Sequence, residues 1–350
     1  MAVILKRGDV LHIQWYDPNL KKTCSKSTKL KATQANQIKA KKYAEKLQNE
    51  LTKRYNESRQ LGVKNVRLKD AFEHFLHINE GKHPKTIKDY KRFYKLFASY
   101  FDEEQPCVLI NKLSVEDWLL NVRKLHLSQN TIHGYGKQCN HFLNFLFEYN
   151  YIPMFRINRA VKTKPEVKDK IVFKDEHIKK IFKNLDGKSW NFKIAVLLLF
   201  YTGLRSSDVL TIRSDKIDLD KQVLNYYSPK RKKYRSVAFH KDLVPVLMER
   251  MKQVGIGPLL DYGNIENLGK AVHRYLMELD LDGNGYSART FRKTFITLCR
   301  SRFGMDASIV RELVGHEHGN TTDKYYNSIT VEAMRSELEK FKVEAIIANN

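Results

Sequence analysis

The chain has 350 residues and a formal net charge of +24 at pH 7, so its field attracts polyanions. Hydrophobic residues make up 42%, ample for cores in two or three domains, and the apolar run that includes residues 195–201 is far below the ~20 residues that span a bilayer. Cys24, Cys107, Cys139 and Cys299 have no paired spacing, which speaks against a disulfide framework or a zinc site and fits a reducing cytoplasm. The opening Met1-Ala2-Val3-Ile4-Leu5-Lys6-Arg7 meets charge too early for a secretory leader.

Residues 2–6, 11–16 and 23–29 alternate like strands, separated by the turn-forming Gly8-Asp9 and Asp17-Pro18-Asn19. Ala40, Ala44, Leu47 and Leu51 then give a helix over residues 33–54 one apolar face. Residues 1–64 hold 15 Lys/Arg against 5 Asp/Glu. A small charged sheet backed by a helix suits a DNA groove. The polar residues 56–64 are expected to be a linker.

Residues 66–157 read as helices. Leu68, Phe72, Phe75 and Leu76 form one stripe, and Thr86, Tyr90, Phe93, Tyr94 and Phe97 a second. Ser114, followed by Glu116 and Asp117, is expected to cap a short third helix through Val122. Ser128 or Asn130 starts a fourth, with Tyr135, Cys139, Phe142, Phe145 and Leu146 at helical spacing. Residues 158–169, carrying Arg159, Lys162, Lys164, Pro165 and Lys168, are expected to be an interdomain linker that tracks DNA. From Ile171 the chain is again globular, with a strand-rich patch over residues 222–239. Met334, Leu338, Phe341 and Ala345 give a helical tail over residues 331–347.

Several residues in the C-terminal half carry chemistry. Arg205 follows an apolar helix ending near Thr202-Gly203; Gly203 suits a left-handed cap, and Asp208 is placed to ion-pair with Arg205. Lys230 lies in Ser228-Pro229-Lys230-Arg231-Lys232-Lys233 between two candidate strands. One lysine at such a hairpin tip can donate a proton, while Arg231, Lys232 and Lys233 suit backbone phosphates. Arg289 and Arg292 share a helix face, an arrangement that repels itself unless an anion sits between them. His316 follows Gly315 in a turn and can donate to a phosphate oxygen. His318 invites a metal reading, but no third ligand stands at the right spacing. Tyr325 and Tyr326 follow Thr321-Thr322. A tyrosine nucleophile needs its phenolate and the attacked phosphate stabilised by such cations. No Gly-rich phosphate loop followed by Lys-Ser/Thr is present, so nothing points to nucleotide hydrolysis.

Taken in order, these segments resemble the tyrosine recombinase (phage integrase) family over residues 66–350, most strongly over 200–326. Thr202-Gly203-Leu204-Arg205 with Asp208 is similar to the family's first arginine box, Lys230 to its hairpin lysine, and Arg292-Lys293-Thr294-Phe295 to its second arginine box. Leu313-Val314-Gly315-His316 resembles the Leu-Gly-His box, and Thr321-Thr322-Asp323-Lys324-Tyr325 the nucleophile segment. Each is weak alone; five in order are specific. Arg289 departs, because the family usually has histidine there, and an arginine is a poor proton shuttle.

The resemblance implies a multidomain, mainly helical fold. An arm-type DNA-binding domain of three strands and a helix would occupy residues 1–60, and a helical core-binding domain 65–157. A linker would follow at 158–170, then a mixed α+β catalytic domain at 171–350. Catalysis would fall to Arg205, Lys230, Arg289, Arg292, His316 and Tyr325, supported by Asp208, with Arg231, Lys232, Lys233, Lys162 and Lys164 as DNA contacts. Tyr325 would form a 3′-phosphotyrosyl link without metal, ATP or cofactor. The partners implied are double-stranded DNA attachment sites, a homotetramer passing through a Holliday junction, and optionally a DNA-bending accessory protein. The setting implied is the nucleoid of a prokaryotic cytoplasm. The leading expectation is an integrase of a mobile element. A resolvase of the Xer type, a type IB topoisomerase relative and a catalytically weakened DNA-binding regulator are the alternatives. The tail is expected to dock on a neighbouring protomer or, as the alternative, to pack on its own domain.

Overall fold

The computed structural model describes residues 2–17, 22–60, 62–167, 169, 171–316 and 329–347. The chain divides into two compact units, residues 1–167 and 168–350. Among the described residues it is mostly helical, with two small antiparallel sheets in the orders β1-β2-β3 and β4-β5-β6.

The first unit opens with β1 (Val3–Arg7), β2 (Val10–Asp17) and β3 (Lys22–Lys31). Gly8 takes a φ of +60° in the two-residue turn that joins β1 to β2. Helix α1 (Gln34–Gln60) covers the sheet, packing Ala40 and Ala44 on Leu11 and Ile13. The linker expected from residue 56 is therefore helical as far as Gln60. Nothing between Asn56 and Gln60 breaks a helix, and Gly62 is the first residue beyond it at positive φ.

Helices α2 (Leu68–Ile78), α3 (Pro84–Ala98), α4 (Lys112–Arg123) and α5 (Gln129–Glu148) follow. Their core is built of rings. Phe72 and Tyr94 stack with centroids 3.8 Å apart, and Phe93, Phe97 and Phe142 meet edge to face around Trp118. Ser114 does not cap α4. The cap is Asn111, three residues earlier, whose side chain accepts from Ser114 N at 3.1 Å while Ser114 Oγ accepts from Asn111 N at 3.1 Å. The serine belongs to a capping box rather than starting the helix. Ser128 caps α5. Beyond α5 the chain is tied down along the helices: Arg123 Nη2 donates to Ala160 O (2.8 Å), His133 Nδ1 to Thr163 O (2.8 Å) and Gln129 Nε2 to Lys164 O (3.0 Å). Lys162 and Lys164 stay exposed on this strap. All four cysteines are free thiols, and burial pushes the Cys107 thiol up to about 12.

The second unit packs around α7 (Trp190–Thr202), of which residues 194–202 are buried throughout. That explains the apolar run: it is a central core helix. Around it lie α6 (Asp175–Lys183), α8 (Ser206–Val209), β4 (Ile217–Asp218), β5 (Val223–Ser228), β6 (Lys233–Ala238), α9 (Leu243–Val254), α10 (Ile265–Glu278), α11 (Ala288–Thr297) and α12 (Ala307–Val314). After the undescribed stretch come α13 (Val331–Leu338) and α14 (Glu344–Ile347).

The tail differs from the single helix expected. It is two helices, because the chain leaves helical geometry after Leu338; Val343 and Ile346 are buried while Ala345 is exposed. It also packs on its own domain. Phe341 is fully buried among the rings of Phe200, Tyr201, His240, Phe295 and Phe303. Burial within the same chain satisfies the apolar face that suggested a neighbouring protomer. Replacing Phe341 by Ala should cost about 3–5 kcal/mol of stability, read from denaturant unfolding, and the loss should not vary with protein concentration. A concentration-dependent midpoint would mean that the tail is exchanged between chains.

Candidate active site

Two glycines at helix C-termini organise the site. Gly203 ends α7 at a φ of +59°, and a Cβ there would lie 2.4 Å from Phe295 Cδ1. Gly315 ends α12 at a φ of +67°, where Gly315 N donates to Glu312 O (3.1 Å) and His316 N to Arg311 O (2.9 Å). This is a Schellman turn, which leaves the last carbonyls free to accept other donors. Both turns require residues without a side chain, and both aim carbonyl oxygens at one place.

Arginines take those carbonyls. Arg292, from α11, donates through Nη1 to Gly203 O (2.8 Å) and Val314 O (2.7 Å). Arg205, at the start of α8, donates through Nη2 to Gly315 O (3.2 Å), and Arg231 Nη2 reaches the same oxygen at 2.8 Å. The negative ends of two helices therefore hold the guanidiniums. Behind them Asp208 is fully buried, 3.6 Å from Arg205 Nη1 as the i,i+3 spacing anticipated. Asp208 Oδ1 accepts from Ser228 Oγ (3.0 Å) and Ser207 Oγ (3.3 Å).

The carbonyls do not use up the donors. Arg205 Nη1 and Arg292 Nη2 are buried and have no hydrogen-bond partner among the described residues. They border a cavity of about 500 Å³ lined by Leu204, Arg205, Ser206, Ser207, Lys230, Ile265, Ala288, Arg289, Arg292 and Lys293. Its wall includes the first residues of α10 and α11, so two helix N-termini add to the positive field. A larger groove, about 660 Å³, lies on the helical block between α2 and α3. Its walls alternate Lys69, Lys91 and Lys95 with Glu73, Asp102 and Glu103, so it does not concentrate charge of one sign.

Titration reflects this crowding. Burial first, then the charge of Arg205, lowers Arg292 to about 10, which leaves it charged at neutral pH. Desolvation lowers His316 to about 4, assisted by Arg292, Arg205, Arg231 and Arg311. His316 keeps much of its surface open to solvent, so the four guanidiniums are the durable part of this effect. At neutral pH its imidazole is uncharged and has one N–H to donate.

Arg205, Lys230, Arg289 and Arg292 thus share one cavity, with Asp208 behind and His316 at the adjoining turn. Lys230 lies exposed in the turn between β5 and β6, with Lys232, and Lys233 is exposed at the start of β6. Arg231, read from the sequence as a phosphate contact, is bonded to Gly315 O. Tyr325, Tyr326 and His318 lie outside the described residues. Among the described residues no cluster of His, Cys, Asp and Glu could hold a metal, and no helix is long and apolar enough to cross a membrane. Sequence reading missed Lys293 and the helix N-termini on the cavity wall, and behind it Tyr226, Arg235 and Glu312. Lys293 adjoins Arg292 and was within reach. The others are joined only by the fold.

The site lies within a domain that matches the phage integrase family over residues 172–332. Over 284 residues the chain is 22% identical to the tyrosine recombinase XerA of Thermococcus kodakarensis, covering 78% of this chain and 95% of that one. Its fold is similar to the Tn1549 transposon integrase bound to transposon right end DNA, with a TM-score of 0.61, 14% identity, and coverage of 79% of this chain and 99% of that one. It is also similar to a lambda integrase tetramer bound to a Holliday junction, with a TM-score of 0.57, 15% identity, and coverage of 94% and 98%. Residues 172–332 form a domain of the phage integrase family.

Proposed function

We propose that this protein is a tyrosine recombinase that cuts and rejoins double-stranded DNA at specific sites of a mobile element, with Tyr325 as nucleophile. One observation carries the reading. Two guanidiniums fixed on backbone carbonyls each keep a buried donor without a hydrogen-bond partner among the described residues, beside a strongly cationic cavity. Buried donors of this kind are costly unless a ligand supplies acceptors, and a phosphodiester supplies two oxygens in the geometry guanidinium prefers.

In this account Arg205 and Arg292 bind the scissile phosphate, and His316 donates its N–H to an oxygen of that phosphate. Tyr325 Oη forms a bond to phosphorus while the P–O5′ bond breaks. The phenolic proton passes to solvent water, and the Lys230 ammonium supplies a proton to the departing 5′-oxygen. A 5′-hydroxyl from a partner duplex reverses the step and rejoins the strand. Fixed cations stabilise the charge on the phosphoryl oxygens throughout. Arg289, always charged, serves as a phosphate ligand rather than a proton carrier. Lys162, Lys164, Lys232 and Lys233 are exposed and contact backbone phosphates along the duplex. The strand-strand-strand-helix module over residues 1–60 binds separate flanking sites. The active assembly is a tetramer on two DNA sites, with a DNA-bending protein as an optional further partner. Similarity in fold to a transposon integrase and to a tetrameric lambda integrase supports the mobile-element and tetramer readings. Arg289 in place of an acid–base residue favours a second reading, a DNA-binding regulator of low activity.

Trapping on a nicked suicide substrate separates the two. Wild type should give a covalent protein–DNA band on a denaturing gel; Tyr325→Phe should abolish it and Tyr326→Phe should not. Loss only in Tyr326→Phe would move the nucleophile by one residue, and no wild-type band with site binding intact would favour the regulator. Proton uptake tests the cation cluster. A bound phosphodiester offsets the arginine field, so the His316 pKa, about 4 without DNA, must rise on binding. Binding should therefore take up a proton between about pH 4 and His316's ordinary value near 6.5, and affinity should strengthen as pH falls through that window. Calorimetry in buffers of different ionisation enthalpy reads the uptake. Equal uptake by wild type and His316→Gln would refute this assignment.

A further inference from the structure

The hairpin that carries Lys230 is fastened to the turn that carries His316. Arg231 Nη2 donates to Gly315 O at 2.8 Å. Four residues on, Arg235 Nη1 donates to Tyr226 OH at 2.8 Å, and Arg235 Nη2 donates to Glu312 Oε1 at 2.8 Å and to the Glu312 carbonyl. The Arg235 side chain is only 5% exposed. A Cβ on Gly315 would lie 2.1 Å from Arg235 Nη1 and 2.9 Å from its Cζ, so the guanidinium rests directly under the Schellman turn. Tyr226 and Arg235 are direct partners across β5 and β6.

Stability alone does not explain a buried arginine at this position. A well-packed apolar residue in its place would often be at least as stable. The fork geometry instead serves two partners at once, one on the hairpin and one at the end of α12. We propose that Arg235 is a positioning residue for DNA cleavage, locking the β5–β6 hairpin and the α12 C-terminal turn into one rigid unit so that Lys230 and His316 keep a fixed relation to the phosphate. This rests on the catalytic reading above and extends it to a residue that does not line the cavity. Arg231 is the second fastener, bonding the same turn from the hairpin tip.

The test uses the full chain with Arg235→Lys, which keeps the charge but cannot fork, and Tyr226→Phe, which removes one bond and keeps the packing. Near-UV circular dichroism and thermal midpoints establish the folded fraction. In single-turnover cleavage of the suicide substrate, Arg235→Lys should slow the covalent step by about 10²-fold with site affinity held within about twofold. Tyr226→Phe should move the rate in the same direction by less. A rate equal to wild type per folded molecule, or rate and affinity falling together, would overturn the proposal. A second readout needs no chemistry. In DNA-free protein with labelled histidines, assigned with His316→Gln, the His316 titration midpoint should move up toward its ordinary value in Arg235→Lys as the ring leaves the field of Arg292, Arg205, Arg231 and Arg311. An unchanged midpoint would overturn the latch whatever the cleavage result. Absence of covalent product from wild type would count against the catalytic reading alone, with the latch still decided by the titration.

Discussion

Everything at this site depends on two helix C-termini being turned by left-handed glycines so that their carbonyls hold arginines. Guanidinium groups packed this closely repel one another, and Asp208, the one fully buried carboxylate beside them among the described residues, offsets only part of that charge. The carbonyls of Gly203, Val314 and Gly315 supply the remaining attraction without neutralising the cluster. They fix direction as well as position, which single-point ion pairs with flexible carboxylates would not. Each arginine is thereby preorganised, with donors left over for a ligand.

The same constraint explains how the surrounding elements are built. Residues 194–202 of α7 are buried throughout, which holds Gly203 rigidly against Phe295. The cis-packed tail places Phe341 against Phe295, on α11, and against Phe200 and Tyr201, on α7, so the helices that carry Arg292 and Gly203 share one brace. Burial, and after it the neighbouring guanidiniums, lowers the titration of Arg292 and His316; on the proposed reading a bound anion would offset the second of these causes. On that reading, affinity for phosphate and sensitivity to pH would have one origin.

Much of this was legible in the sequence, for definable reasons. The strands of the first sheet, the aromatic helical block and the hairpin follow from short-range periodicity and turn residues. Gly203, Arg205 and Asp208 lie within six residues, so their relation is local, and so is that of Gly315 and His316. What escaped was decided over distance or by competition. Ser114 had the chemistry of a cap, but Asn111 was better placed. The tail's three- and four-residue spacing suggested one helix, but packing under Phe341 required a break. Arg231 stood in a run of lysines and shared their reading until the fold brought it to Gly315. Arg235, Tyr226 and Glu312 meet only through strand pairing and the approach of α12, and no local pattern marks a strand arginine as buried.

Single-turnover cleavage by Arg292→Lys tests the carbonyl-held cluster most directly. A lysine keeps the charge but cannot bridge Gly203 O and Val314 O while offering a further donor. If fixed, forked donors are what matter, covalent trapping should fall by at least about 10²-fold in a protein that still folds and binds its site. Trapping within about tenfold of wild type would mean that charge alone suffices, and would contradict the central role of the carbonyl-held guanidinium.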